Sequence, residues 1–234
     1  MNYQIVSDES LLKEFISFLP DTASSELYYV GLYARKKYCA QITNLKSDKQ
    51  CLARFTSDKT RLFEKLKQLE VPLGCYSQKG IIVPQEALAA YITVNPRDLE
   101  LASKRSLIKL AELNTKKYDG YNPHQEVMSE IQKACGTKTY IDFDFDCAES
   151  EVAGIVTQVQ MAVNNSSINV LKTRGGIHVL INLTKVEKSF VKTWYKKISS
   201  IEGVDQIGDN MIPIMGCYQG GFIPRLIVKD GKWM

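Results

Sequence analysis

The chain has only two histidines, His124 and His178, and two tryptophans in 234 residues. Its six cysteines, Cys39, Cys51, Cys75, Cys135, Cys147 and Cys217, form no C-x-x-C pair and no Cys/His cluster. That spacing excludes a structural zinc site and points to reduced thiols in a cytoplasmic protein. No stretch approaches the ~18 continuous apolar residues of a membrane span. The opening MNYQIVSDES lacks the basic and then apolar pattern of a signal peptide, so no membrane association is expected. A G-x-x-x-x-G-K-[ST] loop is absent, which argues against a fused P-loop helicase. Neither repeats nor low-complexity segments occur. The excess of positive charge is small, +4. It permits a polyanionic partner without demanding one.

What is present is an ordinary apolar fraction of 44%, enough for a sizeable core without disulfides or metal to hold it together. Basic residues cluster at Arg35-Lys36-Lys37, Lys104-Arg105, Lys116-Lys117 and Lys196-Lys197; any one pair is most simply a solvated helix face. The first half reads as mixed α/β. Helical spacing covers 11–19 behind Ser7-Asp8, and a second amphipathic stripe covers 62–69 behind Ser57-Asp58. Strand character marks 27–34 and 91–94. A long helix carrying Leu107, Ile108, Ala111 and Leu113 follows. The clearest break is 118–123, where Asn122 and Pro123 suit the cap and first position of a helix that stops near Gly136.

The second half predicts a strand at 138–146, a helix at 149–163, strands at 167–173 and 177–183, a helix at 187–200 and a strand at 223–228. This is β-α-β-β-α-β, the order of the ferredoxin-like or RRM-like split βαβ unit, in which the first and third strands lie side by side. The expected fold class is therefore α/β (α+β): an N-terminal mixed lobe of about 1–120 and an RRM-like lobe of about 121–234 within one domain of 1–234.

Period-two alternation along Tyr140-Ile141-Asp142-Phe143-Asp144-Phe145-Asp146 puts the aromatic residues on one face and the aspartates on the other, with carboxylates ~7 Å apart along the strand. Like charges about 4 Å apart repel by roughly 4 kcal/mol at an effective dielectric of 20. A divalent cation converts that repulsion to attraction, and oxygen ligands select Mg2+ or Mn2+. Two-metal phosphoryl transfer needs such a set. The bland alternative is an edge strand kept soluble by its acids. Asp142 and Asp144 rank first as ligands. Asp146 ranks below them, because it also suits the turn into the next helix.

Thr173-Arg174-Gly175-Gly176-Ile177-His178 joins two predicted strands. Its amides can form an anion-binding concavity, with Lys172, Thr173 and Arg174 adding donors and positive charge. An ordinary glycine hairpin is the competing reading. His178 is set apart by its expected position beside the aspartate strand, where it can donate to a phosphate oxygen. His124 suits a plain helix first turn.

Y-I-D-F-D, then T-R-G-G-I-H, then a late V-D resemble the three motifs of the archaeo-eukaryotic primase superfamily, which includes the primase-polymerases. Tyr91-Ile92-Thr93-Val94-Asn95-Pro96-Arg97 also resembles a segment upstream of the first motif. The Pro/Gly segment I-P-I-M-G-C-Y-Q-G-G-F resembles the one after the third motif, although it departs from relatives that carry a basic residue near the proline. The resemblance implies a template-dependent nucleotidyltransferase that makes or extends primers from nucleoside triphosphates on single-stranded DNA. It implies two Mg2+ or Mn2+ ions on Asp142, Asp144 and Asp205, with Asp209 as the competitor to Asp205. It implies that Lys172, Thr173, Arg174, Gly175, Gly176 and His178 hold the triphosphate. Arg35, Lys36, Arg54 and Arg97 are candidate nucleic-acid contacts, and Tyr218 and Gln219 candidate nucleotide-pocket residues. Unwinding would fall to a separate helicase or other replication protein. The competing classes are a non-catalytic RRM-like nucleic-acid binder and a metal-dependent phosphodiesterase or nuclease.

Overall fold

The computed structural model describes residues 1–39, 48–78, 80–115, 117, 120 and 122–234. In chain order its elements are α1 (Glu9–Phe18), β1 (Glu26–Arg35), β2 (Lys49–Ser57), α2 (Leu62–Lys67), β3 (Ser77–Gln78), β4 (Ile81–Ile82), β5 (Leu88–Thr93), β6 (Arg97–Asp98), α3 (Leu99–Asn114) and α4 (Pro123–Lys133). They continue with β7 (Tyr140–Asp146), α5 (Val152–Ala162), β8 (Ile168–Lys172), β9 (Gly176–Asn182), α6 (Trp194–Ser199), β10 (Val204–Gly208), β11 (Met211–Pro213), β12 (Arg225–Lys229) and β13 (Lys232–Trp233). The class is α+β, built on antiparallel sheets. No described helix is long and apolar enough to cross a membrane.

Helix starts follow their capping residues. The Asp8 carboxylate accepts the Leu11 amide at 3.0 Å and opens α1, and Asp98 does the same for Glu100 and Leu101 at α3. Asn122 accepts the His124 amide at 3.0 Å, with Pro123 in the first position of α4. These are the orphan donors of a first turn, satisfied by a short side chain. Lys116, Tyr118, Asp119 and Tyr121, from the Lys116-Lys117 pair and the expected break, lie outside the described residues.

The first sheet has the order β11-β5-β1-β2, with β6 pairing the start of β1. Tyr28, Val30, Leu32 and Ala34 alternate into the main core with Leu12 and Phe15 of α1. Tyr33 turns to the opposite face and packs with Ala89 and Tyr91. The second sheet has the order β10-β7-β9-β8-β12-β13. Phe143, Phe145, Val179 and Ile181 cover α5 and α6 on one face, joined by Val152, Ile155, Val156 and Val159 of α5. Each such aromatic contributes about 1.5–3 kcal/mol on full burial. On the other face Tyr140, Leu171, Leu180 and Leu226 join the core of the first sheet. The two sheets are thereby locked together at one end of β7, and they diverge at the Asp144–Asp146 end.

Two expectations about the second half change. The fourth strand of the interleaved unit, beside β7, is β10 and not the segment near 223–228. That segment forms β12 and pairs with the outer side of β8. A bulge between Val204 and Gln206 breaks the period of two, which hides β10 from pattern reading. The helix expected at 187–200 begins only at Trp194. Before it the chain makes tight turns, with the Phe190 amide bonded to the Glu187 carbonyl and the Thr193 amide to the Phe190 carbonyl. The β-branched Val186, Val191 and Thr193 weaken any helix there.

Candidate active site

Alternation along β7 puts Asp142, Asp144 and Asp146 on the face away from the α5/α6 helices. Antiparallel pairing with β9 then sets the neighbours: Leu180 opposite Asp142, His178 opposite Asp144 and Gly176 opposite Asp146. The three acids consequently meet three environments. Asp142 lies at the closed end and has no exposure; its two carboxylate oxygens stand 3.1 and 3.0 Å from His178 Nδ1. Asp144 is partly open, with Oδ1 at 3.6 Å from His178 Nε2. Asp146 is exposed at the mouth.

Burial raises the Asp144 carboxyl above its ordinary range; the His178 imidazole opposes the shift, and the charges of Asp142, Asp146 and Asp205 add to it. For His178 burial disfavours the charged ring, yet the carboxylates of Asp142, Asp144 and Asp146 outweigh burial and hold the ring's affinity for its proton above normal. Carboxylates here are crowded enough to prefer a proton or another cation.

The register that aligns His178 with Asp144 depends on Gly176. A Cβ at that position would stand 1.9 Å from the Phe145 carbonyl oxygen. Gly176→Ala must therefore pry β9 from β7 and move the imidazole. A loss of about 1–3 kcal/mol is expected, measurable as a lowered urea midpoint. A variant as stable as the parent would show that the strands part without cost.

Asp144, Asp146, Asp205 and His178 line one wall of a partly open cleft of about 190 Å³. Asp205 arrives there on the bulge of β10, with its neighbour Gln206 paired to Asp144. The facing wall comes from the first sheet and the turn after it: Arg35, Lys37, Tyr38, Lys49 and Tyr91. Arg35 is held by Asp48, with Nη2 and Nε 2.7 and 2.8 Å from its Oδ2, and it also donates to the Tyr91 hydroxyl. The Lys49 ammonium sits 4.1 Å from the Tyr91 ring centroid and 4.4 Å from that of Tyr33. Desolvation of the ammonium between the two rings, reinforced by the Arg35 guanidinium, lowers it to about 8, although the residue as a whole is exposed.

Several expected residues stand elsewhere. Lys172 points to the α5 side of the sheet, where its Nζ lies 2.7 Å from Glu149; strand alternation turns it away from the cleft. Arg174 stacks on the Tyr38 ring at 4.4 Å, and its amide donates to Gln219 Oε1. The Thr173 amide donates to the Gly176 carbonyl. Two amides of the turn and the Thr173 hydroxyl, which donates to the Gly176 carbonyl at 3.3 Å, are thus already used, and the expected phosphate cradle is reduced to Gly175 at the cleft wall. Gly176 is committed to strand pairing. Lys36 is exposed, and its neighbour Lys37 faces the cleft instead. Arg54 lies in β2 across from Gly31, away from the cleft lining.

Arg97 is no surface contact: it is 1% exposed and its Nη1 lies 2.5 Å from Asp209 Oδ2. Asp209 also accepts from Asn95 Nδ2 at 2.7 Å. Asp209 is consequently bound into a structural pair, whereas Asp205 shares the cleft with Asp144. Gln219 lines the cleft and donates to the Tyr38 hydroxyl at 2.9 Å; Tyr218 does not line it.

Asp146, ranked by sequence below Asp142 and Asp144, lines the cleft, as do Lys37, Tyr38, Lys49 and Tyr91, none of which is among the site residues expected from the sequence. Arg35 and Lys49 pair at the end of the β1–β2 hairpin, with Asp48 as the anion beside Arg35, a hairpin that no local pattern in the sequence announces.

The exposed donor set, three hard carboxylates, fits Mg2+ or Mn2+. Among the described residues no three His, Cys, Asp or Glu side chains form a ready-made cage. An open set suits Mg2+, which keeps several waters. Comparison with protein families, with curated proteins and with solved structures gave no match to this chain.

Proposed function

We propose that the chain is a template-dependent nucleotidyltransferase of the primase-polymerase kind, joining nucleoside triphosphates into primers, or extending them, on single-stranded DNA. The observation that carries this reading is the polarity of one cleft: Asp144, Asp146 and Asp205 on one wall face Arg35, Lys37 and Lys49 on the other. A metal-bound triphosphate presents the complementary pattern, cations on one side and phosphate oxygens on the other. The interleaved β10-β7-β9-β8 order supports a ferredoxin-like, RRM-like catalytic lobe.

Asp144, Asp146 and Asp205 would hold the divalent ions. Bound there, two such ions supply activation of the attacking 3′-hydroxyl and neutralisation of the leaving pyrophosphate. The chain's own groups bind and orient the substrate: Lys37, Lys49 and Arg35 attract the phosphates, the His178 ring turns its Nε2 edge toward the substrate space, and Tyr38 and Tyr91 exclude water from the basic wall. Phe143 and Phe145 face the helices, so the sheet offers no aromatic stacking platform of the kind an RRM-like binder uses. This favours a catalytic role over a binding module.

The test is incubation with single-stranded DNA, nucleoside triphosphates and Mn2+, read as product length. Lengthened or newly made strands are expected. Shortening without nucleotides would reassign the site to phosphodiester hydrolysis, and no product of either kind would overturn the proposal.

Lys49 gives the site a pH dependence. With an ammonium near 8, its positive charge is present below that pH and lost above it. Affinity for a nucleoside triphosphate with Ca2+, which avoids turnover, should fall as pH rises from 7 to 9.5. Lys49→Arg, charged throughout, should flatten the profile. An unchanged slope in that variant would remove Lys49 from phosphate binding.

A further inference from the structure

We propose that Asp142, although it shares the strand face of the metal-facing acids, is a positioning residue that fixes the His178 imidazole through Nδ1 and aims Nε2 into the cleft. The functional half of this inference rests on the proposed nucleotidyl transfer; the geometric half does not.

Three observations support it. Asp142 has no exposed surface, while Asp144, Asp146 and Asp205 all line the cleft and Asp142 does not. A buried carboxylate needs hydrogen-bonded or charged partners. Here both oxygens converge on the same ring nitrogen, at 3.1 and 3.0 Å. Leu180 lies directly across the sheet, and Tyr140 and Leu171 complete an apolar surround, a poor setting for a hydrated ion.

An ionised carboxylate only accepts hydrogen bonds. Nδ1 must then carry a proton, which fixes the ring plane and leaves Nε2 pointing toward Asp144 and the substrate space. Carboxylates that orient a functional histidine in this way set its tautomer without touching the substrate.

The test pairs a spectroscopic signature with metal binding. Nitrogen-15 NMR of the full chain, with His124→Gln to assign the remaining ring, reports the protonated nitrogen of His178. The wild type should show a protonated Nδ1. In the nearly isosteric Asp142→Asn the amide can also donate, so the Nε2-protonated tautomer should grow. Nucleotide incorporation should fall about 10–100-fold in that variant while Mn2+ affinity stays within about twofold of wild type. Asp144→Asn is the reference for a true ligand and should lose Mn2+ affinity. A comparable loss in Asp142→Asn would make Asp142 a ligand and overturn the proposal. An unprotonated Nδ1 in the wild type, or a tautomer and incorporation rate indifferent to Asp142→Asn, would overturn it equally. Should the wild type make no product at all, the proposed function fails, and the tautomer measurement still decides the role of Asp142.

Discussion

Replacing Asp144 and Asp146 together by asparagine should abolish nucleotide incorporation, by at least ~10³-fold or about 4 kcal/mol of barrier, while leaving the protein folded. These two side chains share the cleft with Asp205, and no other described carboxylate lines that wall. The same change should raise stability slightly at neutral pH. Asp144 ionises reluctantly in the fold. A carboxyl whose affinity for its proton is higher folded than unfolded costs stability once pH exceeds the folded value, and the cost fades as pH falls below it. Asparagine removes that cost. The gain over wild type should therefore shrink toward acid pH. Thermal melts across pH, run beside the incorporation assay, check both halves. A double variant that retains activity within tenfold of wild type would end the assignment of these acids as ligands.

The largest stability effect should come from Asp209→Ala. Arg97 is buried, and its Nε and Nη2 have no hydrogen-bond partner among the described residues. Asp209 supplies its ion pair at Nη1. Removing one partner of a buried pair strands the other charge, at a cost of about 3–5 kcal/mol. For a chain of this size that lowers Tm by about 10 °C. The damage should spread, because Asn95 links the pair to β7. Its Nδ2 donates to Asp209 and to the Tyr140 carbonyl, and its Oδ1 accepts the Thr139 and Tyr140 amides. Replacing Arg97 and Asp209 together by Met and Leu should recover much of the loss, since no charge then remains buried. Chemical denaturation of the single and double variants provides the measurement. A loss below about 1 kcal/mol for Asp209→Ala, the level typical of exposed pairs, would show that solvent reaches the guanidinium.

Local patterns carried much of this architecture. The alternation in Tyr140–Asp146 fixed which side chains share a face, and the order of elements around it implied that β7 and β9 pair, which they do. Asp8 and Asn122 marked helix starts that the structure retains. What the local pattern could not carry is depth. Asp142, Asp144 and Asp146 are equivalent by periodicity, and only the docking of Tyr140, Leu171 and Leu180 onto the first sheet buries one end of the row and opens the other. The basic wall was invisible for a similar reason: Lys37 and Lys49 reach the acids only through packing between distant segments. Lys172 was misassigned because its position in a charged, glycine-rich turn outweighed its place in the strand alternation. The bulge at Asp205 broke the periodicity of β10, so the residue was found through its resemblance to a motif and not through its strand.

The late stretch 211–219 returns to the first sheet: β11 pairs with β5, Cys217 bridges to Val6, and Gln219 bridges to Ala89. During synthesis the ribosome must therefore extend the chain past Pro213 before β11 can join that sheet. Contacts so distant along the polypeptide slow folding and prolong the life of partly assembled intermediates.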